Sequence, residues 1–186
     1  MPDNIVKDPI ENKILNILRD VPDFPKPGIM FKDITPILSS PKLFSETIDA
    51  LTNLVQKYQP NCIAGIEARG FLFGTPIASK LQLPFIPIRK PGKLPWKKKS
   101  VSYSLEYGEA TIEVHEDALD FVEGKPKVAV IDDLLATGGT TEASCKLIKQ
   151  INGEVVVAAY VLELGFLTGR QIIEEHAAVE SLATVS

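Results

Sequence analysis

Two adjacent acids, Asp132 and Asp133, stand between an apolar run and a loop of small residues. The run 128–131 contains four apolar residues, which is typical of a strand buried on both faces. The loop 136–140 follows, and its glycines permit a positive φ. Apolar residues at helical spacing begin directly after it, so the loop is predicted to lead into the N-terminus of a helix.

A loop in this position can bind an anion through its backbone. Its N–H groups lie at the positive end of the helix dipole. The two carboxylates would repel a phosphate, so they suit the hydroxyls of a sugar or a metal ion that the substrate carries. The combination fits a sugar phosphate, and an ordinary strand–loop–helix connection with solvated acids is the alternative. No Gly-Lys-Ser/Thr ending follows the glycines, which argues against a nucleoside triphosphate loop.

The composition indicates one globular domain. The chain has 186 residues, of which 45% are hydrophobic and 24% charged, and its net charge is −4. We therefore expect no nucleic-acid partner. No apolar run reaches the roughly 18 residues of a membrane span, and residues 1–20 do not resemble a signal peptide, so we expect a cytoplasmic protein without a membrane partner. Cys62 and Cys145 are predicted to be reduced thiols in the core.

Basic residues are concentrated between positions 89 and 99, where no acid occurs. A local basic segment on an acidic protein favours a small polyanion as ligand. We expect the last three of these residues to be solvated loop charges without an assigned contact. The six residues are Arg89, Lys90, Lys93, Lys97, Lys98 and Lys99.

The order of predicted elements indicates an α/β fold. Strands at 62–66, 85–88, 128–131 and 155–162, three of them separated by helices, predict a parallel sheet with helices on both faces. An antiparallel pair is predicted to span 102–114 and turn near Gly108, and a short edge strand to span 182–185. In such sheets, ligands bind at the carboxyl ends of the strands. The polar residues that follow strand ends are Glu67, Arg69, Arg89, Lys90, Asp132, Asp133 and Glu163.

The segment 22–34 contains three prolines together with aliphatic and aromatic residues. Its prolines exclude a helix, and its apolar content is unlike that of a disordered linker. We expect it to pack down, either as cover for the core or as the wall of a pocket.

Residues 128–140 resemble the phosphoribosyl pyrophosphate signature of the type I phosphoribosyltransferases. The stretches 24–34, 65–71, 88–95 and 102–108 resemble one branch of that family, the adenine phosphoribosyltransferases. The resemblance covers about residues 22–165. It implies a type I phosphoribosyltransferase fold in a single domain, 1–186, with a small N-terminal hood at 22–34 and a mobile loop at 90–107. It also implies synthesis of AMP and pyrophosphate from adenine and phosphoribosyl pyrophosphate with Mg²⁺, in a homodimer.

The resemblance also implies roles for particular residues. Asp132 and Asp133 would engage the ribose hydroxyls and, through water, the Mg²⁺ carried by the substrate, with no direct protein ligand to the metal. The 5′-phosphate would bind the loop Ala136, Thr137, Gly138, Gly139 and Thr140. Pyrophosphate would bind Glu67, Ala68, Arg69, Arg89, Lys90 and Lys93, and the Glu67–Ala68 peptide is cis in related enzymes.

The remaining implied roles concern the base. Glu106 matches the catalytic glutamate, which lies near the imidazole ring of the purine and helps to manage its proton. Met30 and Lys32 would read the edge of adenine, mainly through backbone groups. Phe31 and Leu162 are weaker candidates for apolar lining. Lys32 stands where many relatives have Arg.

Two other functions stay open at this point. One is transfer to another purine, namely hypoxanthine, guanine or xanthine. The other is a regulator that binds phosphoribosyl pyrophosphate without catalysis, although residues 1–21 are too short for a helix-turn-helix. The stretch after Gly169 resembles the family only loosely, so the resemblance assigns no functional residue there.

Overall fold

The computed structural model describes residues 9–105 and 108–186, which form six helices and nine strands. The helices are α1 (Ile10–Ile17), α2 (Thr35–Ser39), α3 (Pro41–Gln56), α4 (Arg69–Leu81), α5 (Gly139–Gln150) and α6 (Gly169–Glu174). The strands are β1 (Arg19–Pro22), β2 (Met30–Asp33), β3 (Cys62–Ile66), β4 (Phe85–Ile88), β5 (Lys98–Leu105), β6 (Gly108–His115), β7 (Lys127–Leu135), β8 (Glu154–Leu164) and β9 (Ala178–Val185).

Five parallel strands form the central sheet, in the order β4-β3-β7-β8-β9. Side chains alternate between its faces because successive residues of a strand point to opposite sides. Ile63 and Ile131 pack with α1, α2, α3 and α4 on one face. Ala64 and Val130 pack with α5 and the β5–β6 pair on the other face. The predicted α/β fold with a parallel sheet is therefore confirmed.

Several elements have other bounds than the sequence predicts. Strand β7 continues to Leu135 because its pairing with β8 continues that far, so Asp132 and Asp133 lie within the strand and not after it. Glu163 is likewise inside β8. The edge strand β9 starts at Ala178, earlier than predicted, because β9 pairs with β8 over almost its whole length.

The antiparallel pair β5–β6 begins earlier than predicted. Its register joins Lys98 to His115 at one end and Leu105 to Gly108 at the other. Lys98 and Lys99 are therefore strand residues, which corrects their assignment to a loop. Lys98 also lies beside the buried carboxylate of Glu113, with 2.8 Å between Nζ and Oε2, so it is not a solvated charge.

A small antiparallel hairpin of β1 and β2 precedes the sheet. Its turn contains the cis peptide Phe24–Pro25 and Gly28, whose φ is +86°. The Asp23 side chain accepts a hydrogen bond from the backbone N–H of Gly28 at 2.7 Å. Phe24 packs edge-on against Phe31, with 5.1 Å between ring centroids. The segment 22–34 thus packs on itself as a hairpin.

The two cysteines are free thiols in the core, as predicted. Burial raises the pKa of Cys62 to about 12 and also raises that of Cys145 to about 12. Both therefore stay protonated near neutral pH and have little thiolate reactivity. Within the part of the chain that the structure describes, no helix is both long enough and apolar enough to cross a membrane.

Candidate active site

The acid pair, Asp132 and Asp133, lies where β7 continues beyond its pairing with β3. Strand β3 pairs with β7 only as far as Gly65 opposite Ile131. Beyond that point, Asp132 and Asp133 have a paired strand on the β8 side alone. The other side is open to the N-terminus of α4. The side chain of Asp133 is nevertheless almost fully buried, because α4 covers it.

Helix α4 brings Arg69 to this acid pair. The next residue, Gly70, allows the close approach: a Cβ there would lie 2.5 Å from the carbonyl oxygen of Ile131. Arg69 Nε donates to Asp133 Oδ2 at 2.5 Å. Among the described residues, no hydrogen bond engages the terminal NH₂ groups of Arg69. This guanidinium can therefore neutralise Asp133 and still bind an anion.

Asp132 is less well compensated than its neighbour. Its Oδ1 accepts a hydrogen bond from the backbone N–H of Asp133 at 2.9 Å. Burial raises the pKa of Asp132 well above its usual range, and the adjacent Asp133 carboxylate raises it further. A carboxylate in this environment gains from any cation or hydroxyl group that a ligand supplies.

Among the predicted pyrophosphate residues, Glu67 and Arg89 bind each other. The Glu67–Ala68 peptide is cis, in agreement with the resemblance. Glu67 Oε2 accepts from Arg89 Nε at 2.9 Å and from the backbone N–H of Lys90 at 2.8 Å. The hydrogen bond from Arg89 is the main reason why the pKa of Glu67 is lowered. Arg89 also lies 5.7 Å from the centre of the Phe71 ring, so two contacts hold it.

The small-residue loop leads directly into α5. Gly138 has a φ of +83° and precedes the first helical residue, Gly139, which does not have a positive φ. Among the residues that the structure describes, no side chain caps the first N–H groups of this helix. N–H groups of this kind can bind an anion. The loop surrounds a small pocket of about 80 Å³.

A larger cavity of about 580 Å³ adjoins this pocket. Asp132 and Thr140 line both. The cavity is lined by Ile66, Glu67, Ala68, Arg69, Lys90, Pro91, Tyr103, Glu109, Ala110, Thr111, Ile112, Asp132, Asp133 and Thr140. The structure thus brings together the predicted residues for ribose, for the 5′-phosphate and, in part, for pyrophosphate.

Four other predicted site residues that the structure describes are not part of the cavity lining, namely Met30, Lys32, Arg89 and Lys93. Leu162 is fully buried in the core, so its prediction as pocket lining is wrong. Phe31 packs within the hairpin. Glu106 lies outside the described residues.

Within residues 9–105 and 108–186, no other strand pairs with the outer edge of β2, where Met30 and Lys32 lie. The carbonyl oxygen of Ile29 accepts from the N–H of Phe24, so Ile29 faces β1. Peptide directions alternate along a strand, and Met30 and Lys32 therefore face away from β1. Pro22 opposite Met30 fits this arrangement because proline has no N–H to donate. The Lys32 ammonium group pairs with Asp20 at 2.6 Å.

Two tyrosines that the sequence does not single out contact the loop 136–140, here called the phosphate loop, and the first turn of α5. The hydroxyl of Tyr103 lies 3.0 Å from Thr140 Oγ1 and also borders the cavity. The buried hydroxyl of Tyr160 donates to Thr141 Oγ1 at 2.7 Å. The alternation in residues 101–105 could have indicated Tyr103, because it shares a strand face with the apolar Val101.

Glu113 connects the basic segment to the β5–β6 pair. Its buried carboxylate accepts from Lys98 Nζ at 2.8 Å and from the backbone N–H of Gly92 at 3.1 Å. The hydrogen bond from Lys98 is the main reason why the pKa of Glu113 is lowered. The loop that carries Lys90 and Lys93 is therefore attached at its middle to a charged pair.

A parallel sheet with an uncapped helix start and a carboxylate pair at its carboxyl edge is an arrangement that suits a phosphorylated sugar. Comparison with known proteins gives the family. The model of the phosphoribosyl transferase domain matches residues 33–171. The adenine phosphoribosyltransferase of Prochlorococcus marinus strain MIT 9303 is 46% identical over 171 residues, covering 92% of this chain and 98% of that protein.

Solved structures agree with this result. The adenine phosphoribosyltransferase of Thermoanaerobacter pseudethanolicus superposes with a TM-score of 0.87 at 44% identity, over 94% of this chain and 99% of the other. The enzyme of Saccharomyces cerevisiae, solved with an imino-altritol bisphosphate and adenine, gives 0.85 at 34% identity, over 93% and 98%. The chain therefore belongs to the adenine phosphoribosyltransferases, a branch of the phosphoribosyltransferase family.

Proposed function

We propose that this site transfers the phosphoribosyl group of phosphoribosyl pyrophosphate to adenine, giving AMP and pyrophosphate. The observation that carries the proposal is the shared lining of the two pockets. Thr140, at the end of the phosphate loop, and Asp132, of the acid pair, border both the small pocket and the larger cavity that contains Arg69 and Lys90. One ligand with a phosphate at each end of a ribose would fill both.

Charge separation explains the basic side of the cavity. The bond between ribose C1 and the pyrophosphate oxygen breaks, and its electron pair leaves with pyrophosphate. A bond forms between C1 and an imidazole nitrogen of adenine, whose proton is lost. Arg69, the cis peptide of Glu67 and Ala68, and Lys90 stabilise the negative charge of the leaving group. Arg89 acts by holding Glu67, and Lys93 approaches from the basic loop.

The acid pair holds the ribose. Asp132 and Asp133 accept hydrogen bonds from the ribose hydroxyls, and Mg²⁺ arrives with phosphoribosyl pyrophosphate. Within residues 9–105 and 108–186, no group of three or more His, Cys, Asp or Glu side chains could hold a metal ion. The carboxylates of Asp132 and Asp133 fit an ion whose remaining oxygen ligands come from the substrate and water.

Adenine recognition uses the free edge of the hairpin. The carbonyl oxygen of Met30 accepts from the amino group of adenine, and the N–H of Lys32 donates to a ring nitrogen. An oxopurine presents the reverse pair of groups, and each unpaired buried group costs about 1–3 kcal/mol. Glu106 receives the proton of the imidazole nitrogen. The loop 90–107 closes over the substrates and excludes water.

The proposal also covers assembly and location. The chain acts as a homodimer, for which the exposed rings of Trp96 and Phe121 provide apolar surface. It works in the cytoplasm, where the two buried thiols stay reduced.

A base panel tests the reaction. Purified protein is mixed with phosphoribosyl pyrophosphate, Mg²⁺ and adenine, hypoxanthine, guanine or xanthine, and pyrophosphate release is followed. We expect adenine to exceed hypoxanthine in kcat/KM by about 10²–10⁴-fold, because two mismatched groups are buried. Equal rates with hypoxanthine would identify an oxopurine enzyme. Binding of phosphoribosyl pyrophosphate without release of pyrophosphate for any base would identify a regulator.

A further inference from the structure

The phosphate loop rests on the first residue of α6. A Cβ built on Gly169 would overlap the carbonyl oxygen of Ala136 and lie 3.0 Å from the backbone nitrogen of Gly138. In the other direction, a Cβ on Gly138 would lie 2.8 Å from the carbonyl oxygen of Gly169. The two backbones are therefore in direct contact, with no room for a side chain on either.

An ion pair holds the start of α6 against the sheet. Arg170 Nε donates to Glu163 Oε1 at 2.8 Å, and Arg170 Nη2 donates to Glu163 Oε2 at 2.6 Å. Arg170 Nη1 also donates to the carbonyl oxygen of Val179 at 2.9 Å. The hydroxyl of Ser181 donates to Glu163 Oε2 at 2.8 Å. Because Glu163 is almost fully buried in β8, this two-pronged pair fixes the position of Arg170 and hence of Gly169.

We infer that Gly169 and Arg170 are positioning residues for the 5′-phosphate. The inference rests on the proposed function, because it assigns the phosphate to the loop 136–140. Neither residue touches the substrate. Gly169 sets how deep the loop lies, and Arg170 keeps Gly169 in place. Backbone N–H groups bind a phosphate well only when they are held within about 0.5 Å of the productive geometry. A side chain at position 169 must push the loop out of that geometry.

The test compares ligands with and without a sugar phosphate. Isothermal titration calorimetry measures AMP, ribose 5-phosphate and Mg²⁺–pyrophosphate binding to wild type and to Gly169→Ala. We expect the Kd of AMP and of ribose 5-phosphate to rise about 10- to 100-fold, since displacements of about 1 Å have effects of this size. The Kd of pyrophosphate, which binds at Arg69, should change less than about 2-fold. A general loss of structure would weaken all three ligands.

A matched control lies four residues earlier. In Gly165→Ala, the new Cβ would meet the side-chain methyl group of Thr184 at 2.8 Å and the carbonyl oxygen of Val185 at 3.4 Å, and none of its nearest neighbours belongs to the loop 136–140. All three affinities should stay at the wild-type level. Arg170→Lys provides a second variant, because it keeps the charge and loses the two-pronged contact. We expect it to weaken AMP about 3- to 10-fold and to leave pyrophosphate unchanged.

The outcomes separate this inference from the proposed reaction. Wild-type AMP affinity in both Gly169→Ala and Arg170→Lys would overturn the inference, whatever the activity of the enzyme. Equal weakening of AMP and pyrophosphate would also overturn it. If Gly169→Ala does not fold, Arg170→Lys alone decides. Wild-type protein that binds AMP but releases no pyrophosphate with adenine would overturn the proposed reaction and leave the positioning role standing.

Discussion

Strands β7 and β8 lie side by side, and each carries an acid near its carboxyl end, yet the two acids have different surroundings. Glu163 on β8 has a paired strand on both sides, with Leu135 of β7 on one and Thr184 of β9 on the other. Asp132 on β7 pairs only with β8, because the pairing of β3 with β7 stops at Gly65 opposite Ile131. The relative lengths of the strands therefore decide which acid faces an open site.

The two carboxylates also differ in how their charge is stabilised. The pKa of Glu163 is lowered, mainly by the hydrogen bonds from Arg170. The pKa of Asp132 is raised by burial and by Asp133. Glu163 thus contributes to the stability of the fold, whereas the charge of Asp132 opposes folding until a ligand offsets it. Such conflicts with stability are typical of residues kept for function.

The largest expected effect is that of Asp132→Asn. The change removes a carboxylate that would hold ribose, so kcat/KM for phosphoribosyl pyrophosphate should fall about 100-fold, as with other single electrostatic groups in active sites. The same change should raise the melting temperature, because an unfavourable charge beside the Asp133 carboxylate is gone. Steady-state kinetics and thermal unfolding measure both.

Asp120→Asn is the matched control for this variant. Asp120 is exposed, so its change should leave the rate and the melting temperature unaltered. If Asp132→Asn lowered the melting temperature, the carboxylate would be a stabilising group and the contrast with Glu163 would fail.

Glu163→Gln should reduce the stability of the fold more than the activity. It leaves Arg170 with only the exposed carboxylate of Glu174 as a charged partner, and loss of hydrogen bonds to charged groups costs about 1.5–3 kcal/mol of unfolding free energy. Because Glu163 acts on the phosphate loop only through Arg170 and Gly169, kcat/KM should fall less than about 10-fold. Urea unfolding and kinetics check the two values. A loss of activity as large as that of Asp132→Asn, with unchanged stability, would place Glu163 in direct contact with the substrate.

The dependence of stability on pH should also have opposite signs at the two acids. Glu163 has a lowered pKa when folded, so its contribution is complete above its ordinary value of 4.5 and is lost as the pH falls through the lowered value. Asp132 has a raised pKa when folded, so its cost is absent below its ordinary value of 3.8 and grows until the pH passes the raised value.

Urea unfolding from acidic to neutral pH tests these signs. The deficit of Glu163→Gln relative to wild type should disappear in acid. The gain of Asp132→Asn should also disappear in acid and be largest at neutral pH. A gain of Asp132→Asn that stayed constant down to acidic pH would not come from ionisation of this carboxyl group.

Local patterns predicted most of the sheet and the centre of the site. The apolar run before Asp132 and the small residues of the loop 136–140 are sufficient to predict a strand, a loop and the start of a helix. The end of β7 was not predictable, because it depends on pairing with β8 and not on the polarity of the two acids. Strand length is therefore a property of the sheet in this region.

Contacts between distant segments account for what the sequence did not reveal. Arg170 was assigned no role, because nothing in residues 169–174 indicates a partner at Glu163 or a contact of Gly169 with Ala136. The sequence predicts Lys98 as a solvated loop charge, because the segment around it is polar and broken by Pro and Gly, whereas its position opposite His115 brings it to Glu113. Only the fold brings these residues together.

The smallest expected effects come from two uncharged side chains, Tyr160 and Tyr103. Like Glu163 and Asp132, one supports the fold and the other faces the site. Tyr160 bonds Thr141 in the core, and Tyr103 meets Thr140 at the edge of the cavity. Each hydroxyl is worth about 0.5–1.5 kcal/mol, or roughly 2- to 12-fold in an equilibrium constant. Tyr160→Phe should lower the free energy of unfolding by that amount, because it leaves the buried hydroxyl oxygen of Thr141 without its donor.

Tyr103→Phe should raise KM for phosphoribosyl pyrophosphate about 2- to 10-fold with little change in stability. The reason is that Thr140 loses its partner at the edge of the cavity, beside the bound phosphate. Denaturant unfolding and KM measured on both variants form the test. Equal losses of stability from the two changes would show that the hydroxyl of Tyr103 supports the fold and not the bound phosphate.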